Sequence, residues 1–159
     1  MRVLAIDPGF DRCGVAILEY SDGKEVLLFS TCITTDKAAP LPVRITTIGQ
    51  QLETIITAHR PTALGIETLF FNKNITTGIG VAQARGVVLY VAERAGLSIY
   101  EHGPQEVKVA VTGYGNSDKT AMYAMLQRLV PNIPAKAHDD EYDAIAVGVT
   151  TLAQHGRTR

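Results

Sequence analysis

Two short apolar runs, each ending in an acid, constrain this chain more than any other feature. Arg2-Val-Leu-Ala-Ile-Asp7 halts at Pro8-Gly9, and Ala63-Leu-Gly-Ile-Glu67 repeats the pattern later in the chain. A short continuous apolar run bounded by turn residues reads as a buried strand. Between the two lie segments that complete a sheet. Cys13 to Tyr20 and Glu25 to Thr34 flank Ser21-Asp-Gly-Lys24 and read as a hairpin, so the first three strands run antiparallel in succession. With Asp22-Gly23 as its two-residue loop, paired positions sum to 45, which sets Cys13 opposite Cys32 as packed free thiols.

Helices alternate with the remaining strands. After a loop over 36–42, with Pro42 suited to a first helical turn, Ile45, Ile48, Leu52, Ile55 and Ile56 form one apolar stripe up to about Arg60. A second helix is expected from about Gly78 to Ala95, capped by Gly96; its Gly80, Ala82, Ala84 and Gly86 allow close packing. Leu97 to Tyr100 is a fifth strand, and a basic, glycine-bearing connection follows through Lys108 and Thr112-Gly-Tyr-Gly-Asn116. Ser117 is a candidate N-cap for a helix with Met122, Met125, Leu126 and Leu129 on one side, ending before Pro131. A last helix starts near Asp139 and carries Ile145, Val149 and Leu152. The expected fold class is α/β: a five-stranded mixed sheet with helices on both faces, forming one domain over residues 1–155 with a polar tail over 156–159.

Composition narrows the function classes. A length of 159 residues suits one domain, and 15 Lys and Arg against 16 Asp and Glu give a net charge of −1, which excludes a bulk polycation. No apolar run approaches the roughly 18 residues that span a bilayer, and no signal peptide is evident, so no membrane association and a cytoplasmic location are expected. Two cysteines are too few for a disulfide scaffold or a structural zinc site.

Chemistry gathers at the strand ends. In open α/β sheets that edge is where ligands bind. If their strands are neighbours, Asp7 and Glu67 converge, and two anions that close require protonation or a cation between them. A third element is His138-Asp-Asp-Glu-Tyr-Asp143, in which Asp143 shares a helix face with Asp140 or with Asp139. Acids in a first helical turn also offset the macrodipole, so the run has a purely structural reading as well. Carboxylates without a Cys/His set select Mg²⁺ or Mn²⁺. Such cages hold two ions about 3.5–4 Å apart for displacement at phosphorus, one activating water and the other stabilising the leaving oxygen. A phosphodiesterase of that kind needs basic and aromatic groups nearby. Lys73, Lys108 and Lys119 are candidates for phosphate contacts, and Phe70 and Phe71 follow Glu67 closely enough to stack on an unpaired base.

Ile6-Asp7-Pro8-Gly9 with Gly14, Ile66-Glu67 with Phe70, Lys73-Asn74, Gln83-Ala-Arg-Gly86, Gln105-Glu-Val-Lys108, Thr112-Gly-Tyr-Gly115 with Lys119, and Asp140-Glu-Tyr-Asp143-Ala-Ile-Ala together resemble the RuvC family of Holliday-junction resolvases. The resemblance runs in order from residue 3 to about 152. It implies a ribonuclease H-like fold, a homodimer, and Mg²⁺-dependent, paired symmetric nicking of four-way DNA junctions that leaves 5′-phosphate ends. It also implies two Mg²⁺ per subunit, with Mn²⁺ able to substitute, and a complex with a branch-migration helicase. The family's catalytic and metal-holding acids fall on Asp7, Glu67, Asp140 and Asp143, its D-x-x-D-A pattern selecting Asp140 over Asp139. Its stacking aromatic falls on Phe70 and its DNA contacts on Lys73, Asn74, Lys108 and Lys119. The dimer contact falls on the helix from about 78 to 95. Asp139 is an additional acid beside that set. Rival expectations are an actin-like ATPase lobe, a ribonuclease H-like nuclease for another structured nucleic acid such as RNA, and a non-catalytic junction-binding module. Two divalent ions on the four acids would turn the net charge from −1 to +3. Residues 73–136 alone carry seven Lys and Arg against four Asp and Glu, so DNA affinity is expected to depend on salt and on metal.

Overall fold

The computed structural model describes residues 1–69, 75–130 and 132–156. Five strands, β1 (Arg2–Asp7), β2 (Arg12–Ser21), β3 (Lys24–Thr34), β4 (Ala63–Glu67) and β5 (Ser98–His102), form one sheet in the order β3-β2-β1-β4-β5. β1, β2 and β3 are antiparallel neighbours, while β4 pairs parallel to β1 and β5 parallel to β4. The two parallel crossovers contain α1 (Leu41–His59) and α2 (Ile75–Arg94), and the chain ends in α3 (Pro104–Thr112), α4 (Lys119–Leu129) and α5 (Asp139–His155).

Strand alternation sends side chains to two separate cores. Val3, Ala5, Ala16, Leu18 and Ala63 pack with Val107, Val111, Leu126 and the apolar side of α5, whereas Leu4, Ile6, Val15, Ile17, Leu64 and Ile66 pack with Ile48, Leu52, Ala84, Val88 and Val91. The sheet is therefore covered by α1 and α2 on one face and by α3, α4 and α5 on the other, as the apolar, non-alternating runs of β1 and β4 require.

The cysteine pairing differs from the expected one. Asp22 (φ 51°) and Gly23 (φ 81°) do form the two-residue turn, and pairs near it sum to 45, but the register shifts between Ile17 and Leu18, where Leu28 is the extra residue. Cys13 therefore pairs with Ile33, and Cys32 with Gly14. A one-residue slip reverses facing, so the two thiols point to opposite sides of the sheet. Both remain free.

The 103–116 connection is not irregular throughout, because it contains α3. Pro104 stands in the first turn, Glu106 accepts a hydrogen bond from the Gly103 backbone N–H (3.1 Å), and Gly113 at φ 83° closes the helix. Val107 and Val111, four apart, face the core while Val109 is exposed, so the alternation of three valines masked a helical period. The N-cap of α4 is Asp118 rather than Ser117: its carboxylate accepts from Ala121 N at 2.8 Å, while the Ser117 hydroxyl donates to the Tyr114 carbonyl. β5 extends to His102, and α2 starts three residues earlier than expected.

By length and composition alone α2 is apolar enough to cross a bilayer, an exception to the sequence expectation. Its Gly80, Ala84, Val88, Val91 and Ala92 are buried against the sheet and α1, whereas Ile75, Ile79 and Tyr90 are exposed. Phe70, Phe71, Lys73 and Asn74 lie outside the described residues, as do the last three residues of the polar tail.

Candidate active site

Parity and register bring the two strand-end acids together. Ile6 pairs with Ile66 in the parallel ladder, so Asp7 and Glu67 follow side by side where β1 and β4 leave the sheet. Both have the parity of Val3, Ala5 and Ala63, the residues facing α5. Asp7 pairs with Gly14 on β2, and directly above Gly14 lies the first turn of α5.

Missing β-carbons set the height of that helix. A Cβ on Gly14 would stand 1.8 Å from the Asp140 carbonyl oxygen, one on Gly65 would stand 2.1 Å from Thr151 Oγ1, and one on Gly148 would stand 2.3 Å from Leu18 Cδ1. Backbone thus meets backbone at Gly14, and α5 rests on the sheet with nine buried residues, Ala144 to Leu152, behind its acidic first turn. Asp139, Asp140 and Glu141 all fall in that turn, where they offset the helix dipole, but they part company in role. The Asp139 side chain is 71% exposed and the Asp140 side chain 22%. Glu141 is buried and accepts a hydrogen bond from Ser30.

The electrostatics are those of crowded anions. Burial pushes the Asp7 carboxyl up to about 8, with further contributions from the charges of Asp143, Glu67 and Asp140. Burial also raises Glu67, helped by Asp143 and opposed by Lys108. Asp143 is raised by burial, opposed by Lys119, and raised further by Asp139 and Asp140. Two cations lie among these acids. Lys119 Nζ is 3.0 Å from Asp139 Oδ2 and 3.8 Å from Asp143 Oδ2, and Arg12 Nε is 2.9 Å from Asp140 Oδ2. The Arg12 contact is an ion pair without hydrogen-bond alignment, so Asp140 Oδ2 remains a buried acceptor with no hydrogen-bond partner.

A divalent cation fits this donor set: all-oxygen ligands, carboxyls raised first by burial and further by one another's charge, and a buried Asp140 oxygen without a hydrogen-bond partner. Among the described residues no three acids converge on one point as a finished cage. The fit rests on charge and on the orphaned oxygen.

Beside the acids opens a groove of about 840 Å³ between α3, α4 and the start of α5. Glu67 and Asp143 line its acidic end, and Lys108, Lys119 and Lys136 line its sides. Of the residues expected from sequence, Asp7, Glu67, Asp140, Asp143, Lys108 and Lys119 gather at this edge of the sheet. Lys119 does so chiefly as a partner of the acids. Arg12 and Lys136 are additional groups here. Arg12 carried a faint signal, since it lies at the start of β2 two positions before the pivotal Gly14; Lys136 carried none beyond its charge.

A sequence profile of the RuvC family, described as crossover junction endodeoxyribonuclease RuvC, matches residues 3–151. The crossover junction endodeoxyribonuclease RuvC of Heliobacterium modesticaldum is 40% identical over 149 residues, covering 94% of this chain and 92% of that protein. The corresponding protein of Clavibacter michiganensis subsp. michiganensis is 38% identical over 162 residues and covers all of this chain and 79% of its own length. The solved structure of T. thermophilus RuvC in complex with Holliday junction substrate superposes with a TM-score of 0.90 at 28% identity, covering 98% of this chain and 96% of that one. The yeast mitochondrial Holliday junction resolvase Ydc2, at 15% identity and a TM-score of 0.68, shares the fold. The five-stranded mixed sheet with helices on both faces is accordingly ribonuclease H-like, and the chain belongs to the RuvC family of crossover junction endodeoxyribonucleases.

Proposed function

We propose that this chain resolves four-way DNA junctions in recombination and repair, nicking two opposed strands with Mg²⁺ held by Asp7, Glu67, Asp140 and Asp143. The observation that carries the reading is the state of Asp7, a carboxyl raised to about 8 by burial and by the other three acids of the set. Such a cluster favours a bound cation over four separate charges. Two divalent ions, Mg²⁺ with Mn²⁺ as a substitute, would supply an activated water and a charge against the leaving oxygen, giving 5′-phosphate and 3′-hydroxyl ends.

The chain's own groups do the rest. Gly14 and Gly65 let α5 set Asp140 and Asp143 over the strand-end acids. Arg12 restrains Asp140, and Lys108 and Lys136 hold phosphates along the groove. Lys119 serves both the acids and the DNA. Phe70 stacks on a base at the junction centre, with Lys73 and Asn74 as neighbouring DNA contacts; Phe70→Ala would slow cutting more than it weakens binding.

Two such sites are needed for paired nicks, and a second copy would supply the other. Support comes from α2, whose exposed side adjoins a recess of about 540 Å³ lined by Leu41, Pro42, Ile45, Gln83, Gly86 and Tyr90. Residues 1–155 would act as one domain in the cytoplasm, in contact with a branch-migration helicase and not with membrane.

Substrate choice is tested by offering one preparation a four-way junction, duplex DNA and an RNA hairpin in Mg²⁺. Paired nicks in the junction alone are expected. Faster cutting of the RNA would favour the other ribonuclease H-like reading, and binding without cutting would favour a non-catalytic module.

A further inference from the structure

We propose that Arg85, steered by Glu101, is a positioning residue that fixes the direction of the Glu67 carboxylate. The inference rests on the reading of Glu67 as a metal-holding acid, and it gives the Gln83-Ala-Arg-Gly86 motif a physical task. Glu67 is the last residue of β4, so the ladder that restrains its backbone stops where orientation matters most. Its outgoing peptide unit is clamped instead from both ends. The Glu67 carbonyl accepts from Arg85 Nε at 3.4 Å, and the N–H of the same peptide, that of Thr68, donates to the His102 carbonyl at 2.9 Å. The Thr68 hydroxyl donates to the same His102 carbonyl at 3.3 Å. A peptide held at both its N–H and its C=O is restrained as one planar unit, which restrains the backbone of Glu67 and the direction in which its side chain leaves the strand.

The Arg85 contact is long and would be weak alone, but the guanidinium is not free to leave. Its other arm forms an ion pair with the Glu101 carboxylate on β5, and Glu101 pairs in the ladder with Ile66, next to Glu67. The side chain is 16% exposed, against 73% for Lys119, so it is a held strut and not a surface phosphate contact. Only a planar fork reaches a carbonyl and a carboxylate together; a lysine ammonium has no such geometry. Arg85 approaches from α2, on the sheet face away from the acids, and acts through the main chain of Glu67.

The test is Mn²⁺ binding by calorimetry on wild type, Arg85→Gln, Arg85→Lys, Glu101→Gln and the double variant Arg85→Gln/Glu101→Gln, with melting temperature and junction affinity in EDTA measured alongside. Arg85→Gln is expected to bind Mn²⁺ about 10-fold more weakly or worse, with junction affinity within about 2-fold of wild type. Arg85→Lys should recover only part of the loss, and Glu101→Gln should weaken binding by a smaller factor. The double variant should be no worse than Arg85→Gln, because Glu101 acts through Arg85. Wild-type Mn²⁺ affinity in Arg85→Gln overturns the proposal, as does a parallel fall in metal affinity, junction affinity and melting temperature, which would mark a purely structural residue. Should Arg85→Gln not fold, wild-type Mn²⁺ affinity in Arg85→Lys or Glu101→Gln overturns it equally. Failure of wild type itself to bind Mn²⁺ overturns the reading of the site and this inference with it.

Discussion

Gly14 and Asp140 are in backbone contact: the Asp140 carbonyl oxygen occupies the place where a Gly14 β-carbon would stand, 1.8 Å away. No side-chain rotation relieves that overlap, since the opposing atom is main chain. Gly14→Ala must lift the start of α5 from β2 and carry Asp140 and Asp143 away from Asp7. Overpacking usually costs about 1–3 kcal/mol. A fall in melting temperature of several degrees is expected, together with loss of divalent-metal binding in the protein that remains folded. Wild-type metal affinity in a folded Gly14→Ala would show that α5 is not seated by this contact.

Asp7 makes stability depend on pH in a specific direction. Its carboxyl, pushed up to about 8 from an ordinary value of 3.8, binds its proton more tightly in the folded chain. Its share of the stability is complete below about pH 4 and declines as pH rises toward about 8. Asp7→Asn cannot ionise and escapes the decline. In EDTA at pH 8.5 the variant should melt about 3 °C or more above wild type, and at pH 4.5 the two should nearly coincide. Added Mg²⁺ should raise the wild-type melting temperature and leave the variant almost unmoved. Equal melting at every pH would remove the electrostatic account of this acid.

Lys119 opposes the rise of Asp7 and Asp143, so its removal should move the pH dependence of nicking as well as the rate. With Lys119→Gln the acids hold their protons to higher pH, and metal must compete with them. The acid limb of the pH–rate profile should shift upward, so that activity falls more at pH 7 than at pH 9. A uniform loss across that range would mean that Lys119 acts only by holding DNA.

Burial leaves both thiols inert. Cys13 is pushed up to about 12 and Cys32 to about 11, in each case first by burial, so neither is a thiolate near neutral pH. Opposite facing also forbids a bridge between them. Alkylation of native protein at pH 7.5 should be slow at both positions, and mild oxidant should yield no intramolecular disulfide by mass spectrometry. Formation of a Cys13–Cys32 bridge under native conditions would refute the shifted register.

Much of this site was legible because strand parity and helical spacing are local rules. Asp7 and Glu67 could be placed at matching strand ends from two apolar runs, and Asp143 could be paired with a neighbour three or four residues back. The choice between Asp140 and Asp139 was not local. It depends on which side of α5 faces β2, a tertiary fact set by Gly14, Gly65 and Gly148, and it was reached only through the family pattern. The Cys13–Cys32 pairing failed because a bulge at Leu28 leaves no mark in residue spacing. α3 was hidden because Val107, Val109 and Val111 alternate like a strand while Pro104, Glu106 and Gly113 carry the helical signals. In sequence Arg12 had only its place near Gly14 and Arg85 only its membership of the Gln83-Ala-Arg-Gly86 motif; their tasks arise from long-range contacts to Asp140, Glu67 and Glu101.

The central claim is that four carboxylates at one sheet edge act together, with a divalent cation, on a four-way junction. It is tested most directly by single-turnover nicking of a synthetic junction by wild type in Mg²⁺, by wild type in EDTA, and by Asp7→Asn in Mg²⁺. Paired, symmetric nicks with 5′-phosphate ends are expected in the first reaction only, with Asp7→Asn still binding the junction. Cutting at the wild-type rate in EDTA, or by Asp7→Asn in Mg²⁺, would contradict the account.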